Sequence, residues 1–230
     1  CNEPGSRSQM LLPFWEAMPC GCSRTEVKTM PGSEQLRLFV AVELPPEVKV
    51  ELSDAARRLR TRCDGNQLKW VDTESIHLTL KFLGETAAER VQEVKGAVAA
   101  VAAGAGTLTL ALGTIGAFPG LSRPRVIWVG LDGDTPALIA LARQIDRSLQ
   151  AIGFAPESRP FSPHLTLART RPDTPLQAQV EIGSALSRAQ APERRRFNIS
   201  QVSLMQSQLR TQGPLYTCLG RWPLGGPIES

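Results

Sequence analysis

The tetrapeptide His-Leu-Thr-Leu occurs at residues 77–80 and again at 164–167, and the chain of 230 residues contains no other histidine. Both copies sit in runs that read as β-strands, over 75–83 and 162–168. Alternate side chains of a strand point to opposite faces. His77 and Thr79 therefore share one face, with Leu78, Leu80 and Phe82 on the other; the same parity pairs His164 with Thr166 and Leu165 with Leu167. The leucines are expected to bury under the helices, with the His-Thr pairs facing the opposite way.

The surrounding pattern repeats in the same order. Residues 36–43 read as a strand, and Pro45-Pro46 opens an amphipathic helix with Val48, Leu52, Ala55, Ala56 and Leu59 on one side. Short strands at 67–71 and 75–83 follow. Thr86-Ala87-Ala88-Glu89 has the form of a capping box for a helix running to about Ala103. In the second half, strands over 107–118 and 125–131 lead into a helix from Thr135-Pro136, with Leu138, Leu141, Ile145 and Leu149 spaced three and four apart and Gly153 at its end. The second motif strand comes next, then Thr174-Pro175-Leu176-Gln177 as a capped start with proline at the first helical position, giving a helix to about Ala189. Strands over 197–207 and 215–222 close the chain. The expectation is an α+β, bilobal fold: two pseudo-symmetric lobes, each with an antiparallel-rich sheet and helices on the outer face, and a central groove between the sheets.

Residues 1–30 differ in character, with no sustained apolar period and no signal-peptide pattern. They read as a leader, disordered or non-native, ahead of a domain spanning 31–230. Cys20-Gly21-Cys22 in this leader lacks the further ligands a metal clip needs. The five cysteines show no framework spacing and read as reduced thiols in a cytoplasmic protein. No apolar run approaches the roughly 20 residues needed to span a bilayer. A net charge of +4 permits a polyanionic ligand without demanding one.

Two imidazoles and two hydroxyls converging in a groove suit one type of chemistry. Making or breaking a phosphodiester with an adjacent hydroxyl needs a base on one side of phosphorus and an acid on the other. Two histidines near neutral pH can supply both. Threonine hydroxyls can donate to the non-bridging oxygens as charge builds there. No metal and no cofactor is called for.

The two H-L-T-L motifs do not stand alone. With Leu36-Arg37-Leu38-Phe39-Val40-Ala41-Val42, Arg125-Val126-Ile127-Trp128-Val129-Gly130-Leu131, Phe161-Ser162-Pro163 before the second motif, Ser203-Leu204-Met205-Gln206-Ser207 and Gly213-Pro214-Leu215-Tyr216, the chain resembles the two-histidine (HxTx) phosphoesterases. More narrowly it is similar to the RNA 2′,3′-cyclic phosphodiesterases, long called 2′-5′ RNA ligases. The resemblance covers roughly 36–225. It implies hydrolysis of a terminal 2′,3′-cyclic phosphate to a 2′-phosphate, with His77 as proton donor, His164 as proton acceptor, and Thr79 and Thr166 on the phosphate. It also implies reversible 2′-5′ ligation by the same groups. The expected partner is RNA or a nucleotide with a 2′,3′-cyclic phosphate terminus, met by a monomer away from any membrane. Two other readings stay open: a catalytically weak RNA-binding module, and a phosphodiesterase for 2′-5′ linked or small cyclic nucleotides.

Arg169 follows the second motif and could bind phosphate bidentately. Strand parity puts it on the leucine face unless the strand has ended. Lys81 has the parity of His77 and Thr79. Arg123 and Arg125 either rim the groove or sit in a solvated loop; Arg194-Arg195-Arg196 reads as a solvated segment that could also steer RNA. Phe82, Trp70 and Phe161 are the aromatic residues that could stack a base.

Overall fold

The computed structural model describes residues 34–63, 65–210 and 213–226. The leader over 1–30, with its Cys20-Gly21-Cys22 segment, lies outside the described residues. The elements run β1 (Gln35–Glu43), α1 (Pro46–Arg60), β2 (Leu68–Trp70), β3 (His77–Ala87), α2 (Val91–Ala103), β4 (Leu108–Phe118), β5 (Val126–Gly133), α3 (Thr135–Ala151), β6 (His164–Thr170), α4 (Leu176–Ser187), β7 (Arg196–Ile199), β8 (Gln201–Arg210) and β9 (Gly213–Pro223), with 3₁₀ turns at Gly65–Gln67, Thr73–Ser75 and Ala88–Arg90.

These strands form two antiparallel sheets, ordered β3-β1-β8-β9 and β2-β6-β5-β4-β7. The fold is thus bilobal α+β, consistent with two pseudo-symmetric lobes. Each sheet has a motif strand beside a partner from the same half of the chain: β3 pairs with β1, and β6 with β5. The lobes are not the two sequence halves, however. Strand β2 crosses over to extend the second sheet beside β6, while β8 and β9 complete the first.

The helices cross over as well. Helix α3, which follows a strand of the second sheet, packs on β3 and α2 behind the first. Helix α1, which follows a strand of the first sheet, reaches the second: Arg60 lies over the Trp70 ring of β2 at 5.0 Å, and Arg62 donates to the Arg188 carbonyl just past α4. Leu52, Leu59, Leu138, Ile145 and Leu149 on these helices are at most 1% exposed, and one core cluster takes in both sheets. Burying a side chain of that size stabilises by roughly 1.5–3 kcal/mol.

Two capping expectations fail for the same reason: tertiary pairing takes the threonine first. Thr86 is drawn into the ladder opposite Leu36 and is buried, its hydroxyl donating to the Gly84 carbonyl, so the strand runs on to Ala87 and a 3₁₀ turn precedes α2. Thr174 is buried and donates to the Gln67 carbonyl, leaving Pro175 itself at the N-cap of α4 without a side-chain cap.

Strand parity also breaks, at the same place in both motifs. In β3, Ala41 faces Thr79 and Val40 faces Lys81, which leaves Leu80 as an extra residue. In β6, Trp128 faces Thr166 and Ile127 faces Ala168, which leaves Leu167 as the extra residue. Each tetrapeptide therefore ends in a β-bulge, and beyond it the faces exchange. Lys81 turns inward and is 2% exposed, whereas Phe82 is 62% exposed on the histidine side, against the expectation for both. The equivalent pair in β6 is Ala168, buried, and Arg169, exposed.

The buried Lys81 ammonium is fully engaged. It meets Asp146 of α3 and the Ala155 carbonyl, each at 2.6 Å, with Glu157 at 4.0 Å. Asp146 also accepts from the Glu157 amide. Lys81 thus ties the bulge after the first motif to α3 and to the segment that leads into the second.

Candidate active site

His77 and His164 begin their strands, and each is held in the same way. Nδ1 of His77 lies 2.9 Å from the Ser75 carbonyl, and Nδ1 of His164 lies 2.8 Å from the Ser162 carbonyl. A carbonyl can only accept, so Nδ1 carries a proton in both rings. Each Nε2 is thereby left as the position that takes up or gives up a proton. Thr79 and Thr166, two residues on, share the histidine faces and are half-buried.

Aromatic rings fix the planes of both imidazoles. Phe39 stacks on His77 with centroids 4.7 Å apart, and Tyr216 meets the same ring edge-on at 4.9 Å. Phe39 also touches Tyr216 and Phe82, at 5.4 and 6.1 Å. On the second sheet, Phe118 meets His164 edge-on at 5.0 Å and is backed by Trp128 at 5.1 Å. The Trp128 ring lies across Gly116, where a Cβ would come within 2.3 Å of Cη2; only a residue without a side chain lets the indole approach this closely.

The two sheets present these groups to one another. Strand β3 contacts β6, and the Arg169 guanidinium of β6 lies within electrostatic reach of both His164 and Tyr216, the latter on β9 against His77. The bulge in β6 is what turns Arg169 to the histidine side. Of the residues expected from sequence, His77, Thr79, His164, Thr166 and Arg169 all lie on the facing sides of the two sheets.

Others go elsewhere. Lys81 is part of the core network. Arg194 and Arg195 are taken up by Asp132 and Glu51, and Arg123 is exposed in the β4–β5 connection. Trp70 is capped by Arg60, and Phe161 packs against the core, which leaves Phe82 as the exposed ring among the three. Among the described residues no three His, Cys, Asp or Glu side chains gather as a metal site, and no helix is long and apolar enough to cross a membrane.

Burial holds both imidazoles below the ordinary histidine value, while the Ser75 and Ser162 carbonyls oppose the shift. Their charged neighbours differ in sign. The Glu43 carboxylate favours a proton on His77, partly offset by Lys49, whereas the Arg169 cation disfavours one on His164. Reading the sequence missed Glu43, Phe39 and Tyr216. The odd-numbered positions of β1, Arg37, Phe39, Ala41 and Glu43, form its non-core face, and that alternation was the available signal; Tyr216 is the one tyrosine in the chain.

Comparison with known proteins decides the family. A model described as LigT like Phosphoesterase matches twice, over residues 42–128 and 129–216. The chain belongs to the LigT-like phosphoesterase family. Each match of the LigT-like model takes in one of the two histidine strands, β3 in the first and β6 in the second. Among curated LigT-like relatives, the RNA 2′,3′-cyclic phosphodiesterase of Aeropyrum pernix is 35% identical over 67% of this chain and 85% of its own, and that of Methanocaldococcus jannaschii is 27% identical over 81% and 100%. Among solved structures, TT0787 of Thermus thermophilus superposes with a TM-score of 0.68 at 27% identity, covering 83% of this chain and 99% of that one. E. coli LigT complexed with 3′-AMP gives 0.66 at 26% identity, with the same coverage. This LigT-like chain is accordingly an enzyme of the RNA 2′,3′-cyclic phosphodiesterase family.

Proposed function

We propose that the chain opens 2′,3′-cyclic phosphate ends of RNA to 2′-phosphates by a two-histidine mechanism. The observation that carries this reading is the matched hold on the imidazoles: each is pinned through Nδ1 by the carbonyl two residues before it, with Nε2 free and a threonine on the same face. Water attacks phosphorus and gives its proton to Nε2 of His164. The bond from phosphorus to the 3′ oxygen breaks, and that oxygen takes the proton from Nε2 of His77. The Thr79 and Thr166 hydroxyls and the Arg169 guanidinium bind the non-bridging oxygens, where negative charge grows.

Support comes from the opposite signs of the charges beside the two rings, which suit a protonated His77 and a neutral His164, and from relatives named for the same activity. Microscopic reversibility allows the same groups to join ends through a 2′-5′ bond, with hydrolysis favoured in water. No step calls for a metal or a cofactor, and the chain is read as acting as a cytoplasmic monomer.

The test is incubation with an oligonucleotide ending in a 2′,3′-cyclic phosphate, with the product isomer identified by phosphorus NMR. A 2′-phosphate is expected, and His77→Ala and His164→Ala should each lower kcat by about 10²–10⁴-fold. A 3′-phosphate product, or turnover that survives both substitutions, refutes the assignment.

A further inference from the structure

The two histidines have nearly the same backbone setting, yet acid–base chemistry needs one protonated and the other neutral. Nothing inside the repeated tetrapeptides can make that choice, so it must come from what faces each ring. Glu43 lies directly opposite His77 in the β1–β3 ladder, on the same face. Its carboxylate is fixed from behind: the fully buried Ser203 hydroxyl donates to Oε1 at 2.7 Å, and Arg221 donates through Nε to Oε1 at 2.8 Å and through Nη2 to Oε2 at 3.0 Å. With three donors on two oxygens it stays ionised, and the Arg221 bonds chiefly hold it below the usual carboxylate range.

The order of strands makes this arrangement directional. Glu43 stands on the neighbour of β3, and Arg221 is two strands further away on β9, so the negative end of the pair points at His77. The other groups around that ring are Phe39 of β1, the Ser75 carbonyl, Tyr216 of β9 and Lys49 of α1. Burial keeps the Tyr216 phenol neutral, and Lys49 is itself engaged by the Glu74 side chain and carbonyl. Among the described residues the charged neighbour of His164 is Arg169, a cation and not a carboxylate.

We propose that Glu43 is a positioning residue that keeps the proton on His77, so that His77 rather than His164 serves as the acid. The proposal rests on the two-histidine reading above and adds what breaks the symmetry between the pair. Ser203 and Arg221 hold the Glu43 carboxylate in place, and the Arg221 cation offsets part of its charge as felt at His77.

The experiment exploits the histidine count. With two histidines in the 230 residues, the imidazole resonances can be followed by NMR through a pH titration and assigned with one substitution. Glu43→Gln should move the His77 titration to lower pH and leave that of His164 in place. Arg221→Met, at an exposed residue, removes the counter-charge and should move His77 the opposite way. Glu43→Asp, which keeps the charge, should restore the parent behaviour. In kinetics, Glu43→Gln should lower kcat/KM on the alkaline limb alone. A His77 titration unmoved by Glu43→Gln, or shifts of the same sign in Glu43→Gln and Arg221→Met, overturns the proposal. The titrations need no substrate: absence of turnover with the expected shifts would reject the phosphodiesterase reading, and with it the acid role of His77, while leaving the coupling of Glu43 to the His77 proton standing.

Discussion

Phe82 offers the sharpest perturbation, because sequence parity and structure give it opposite roles. As a core residue on the leucine face, its truncation to alanine would cost about 3–5 kcal/mol. In the structure the ring is 62% exposed, touching Phe39, which stacks on His77. With about two-fifths of its surface buried, and about 1.5–3 kcal/mol for full burial of such a side chain, Phe82→Ala should cost only about 0.6–1 kcal/mol of stability. For a domain of this size that is a fall in Tm of about 1–4 °C. Its loss should register in substrate binding. A nucleobase stacked on an aromatic ring is worth about 1–3 kcal/mol by alanine substitution, which is about 5- to 150-fold in kcat/KM. The assay compares two oligonucleotides with 2′,3′-cyclic phosphate ends, one bearing a terminal base and one abasic. Phe82→Ala should slow the first by this factor and leave the second unchanged, while Phe82→Trp restores the first. Equal losses on both substrates, or a drop in Tm beyond about 10 °C, would show that the ring supports the fold and does not stack a base.

Three further perturbations test other parts of the structure. Lys81→Ala strips a 2%-exposed cation from Asp146 and should cost about 3–5 kcal/mol in urea unfolding, whereas Lys81→Met combined with Asp146→Leu should recover most of it; a change below 1 kcal/mol in the single variant would discredit the network. Gly116→Ala pushes the Trp128 ring out of the position that backs Phe118 against His164, and a displacement near 1 Å there should lower kcat/KM by about 10- to 100-fold; a parent-like rate would mean that the ring does not position the base. For pH, the proposed mechanism requires the rate to rise as His164 loses its proton and to fall as His77 loses its own. Burial lowers both from 6.5, so the bell-shaped kcat/KM profile of the free enzyme should peak on the acid side of that value, and a peak above pH 7.5 would contradict this. The same shifts make the folded state lose stability as pH falls below about 6.5, where the unfolded chain binds protons first.

Periodicity located most elements because their apolar spacing answers directly to burial: the residues picked for α1 and α3 are the ones that face the core. The histidines and threonines were legible for a related reason, since two identical motifs on alternating strands leave few places for their polar faces. What stayed hidden depends on partners distant in sequence. Thr86 is taken into the ladder opposite Leu36 and the Thr174 hydroxyl goes to the Gln67 carbonyl, so local capping patterns misled. The crossover of β2 to the second sheet is a matter of which edge is free, and no spacing within three residues encodes it. Glu43 sits at the end of its strand, after the apolar run Leu38–Val42, and looks like a solvated terminus until Ser203 and Arg221, far along the chain, fold up behind it.

The bulges carry the deeper consequence. One extra leucine in each motif strand lengthens the functional face from the histidine and threonine to a third position five residues after the histidine, and there the two halves diverge: Phe82 on the first sheet, Arg169 on the second. A fully symmetric pair of strands would present two equivalent walls to a substrate that has no symmetry. An RNA end carries one base and one cyclic phosphate. On the proposed reading, an aromatic face on one wall and a guanidinium on the other would give that end a preferred orientation, base toward the first sheet and phosphate oxygens toward the second. Orientation would then determine which ester oxygen lies in line with which imidazole, and hence whether a 2′- or a 3′-phosphate is released. If so, exchanging the two side chains, Phe82→Arg with Arg169→Phe, should erode the product isomer ratio more than it erodes the total rate; an unchanged ratio would mean that the histidines alone set the direction of cleavage.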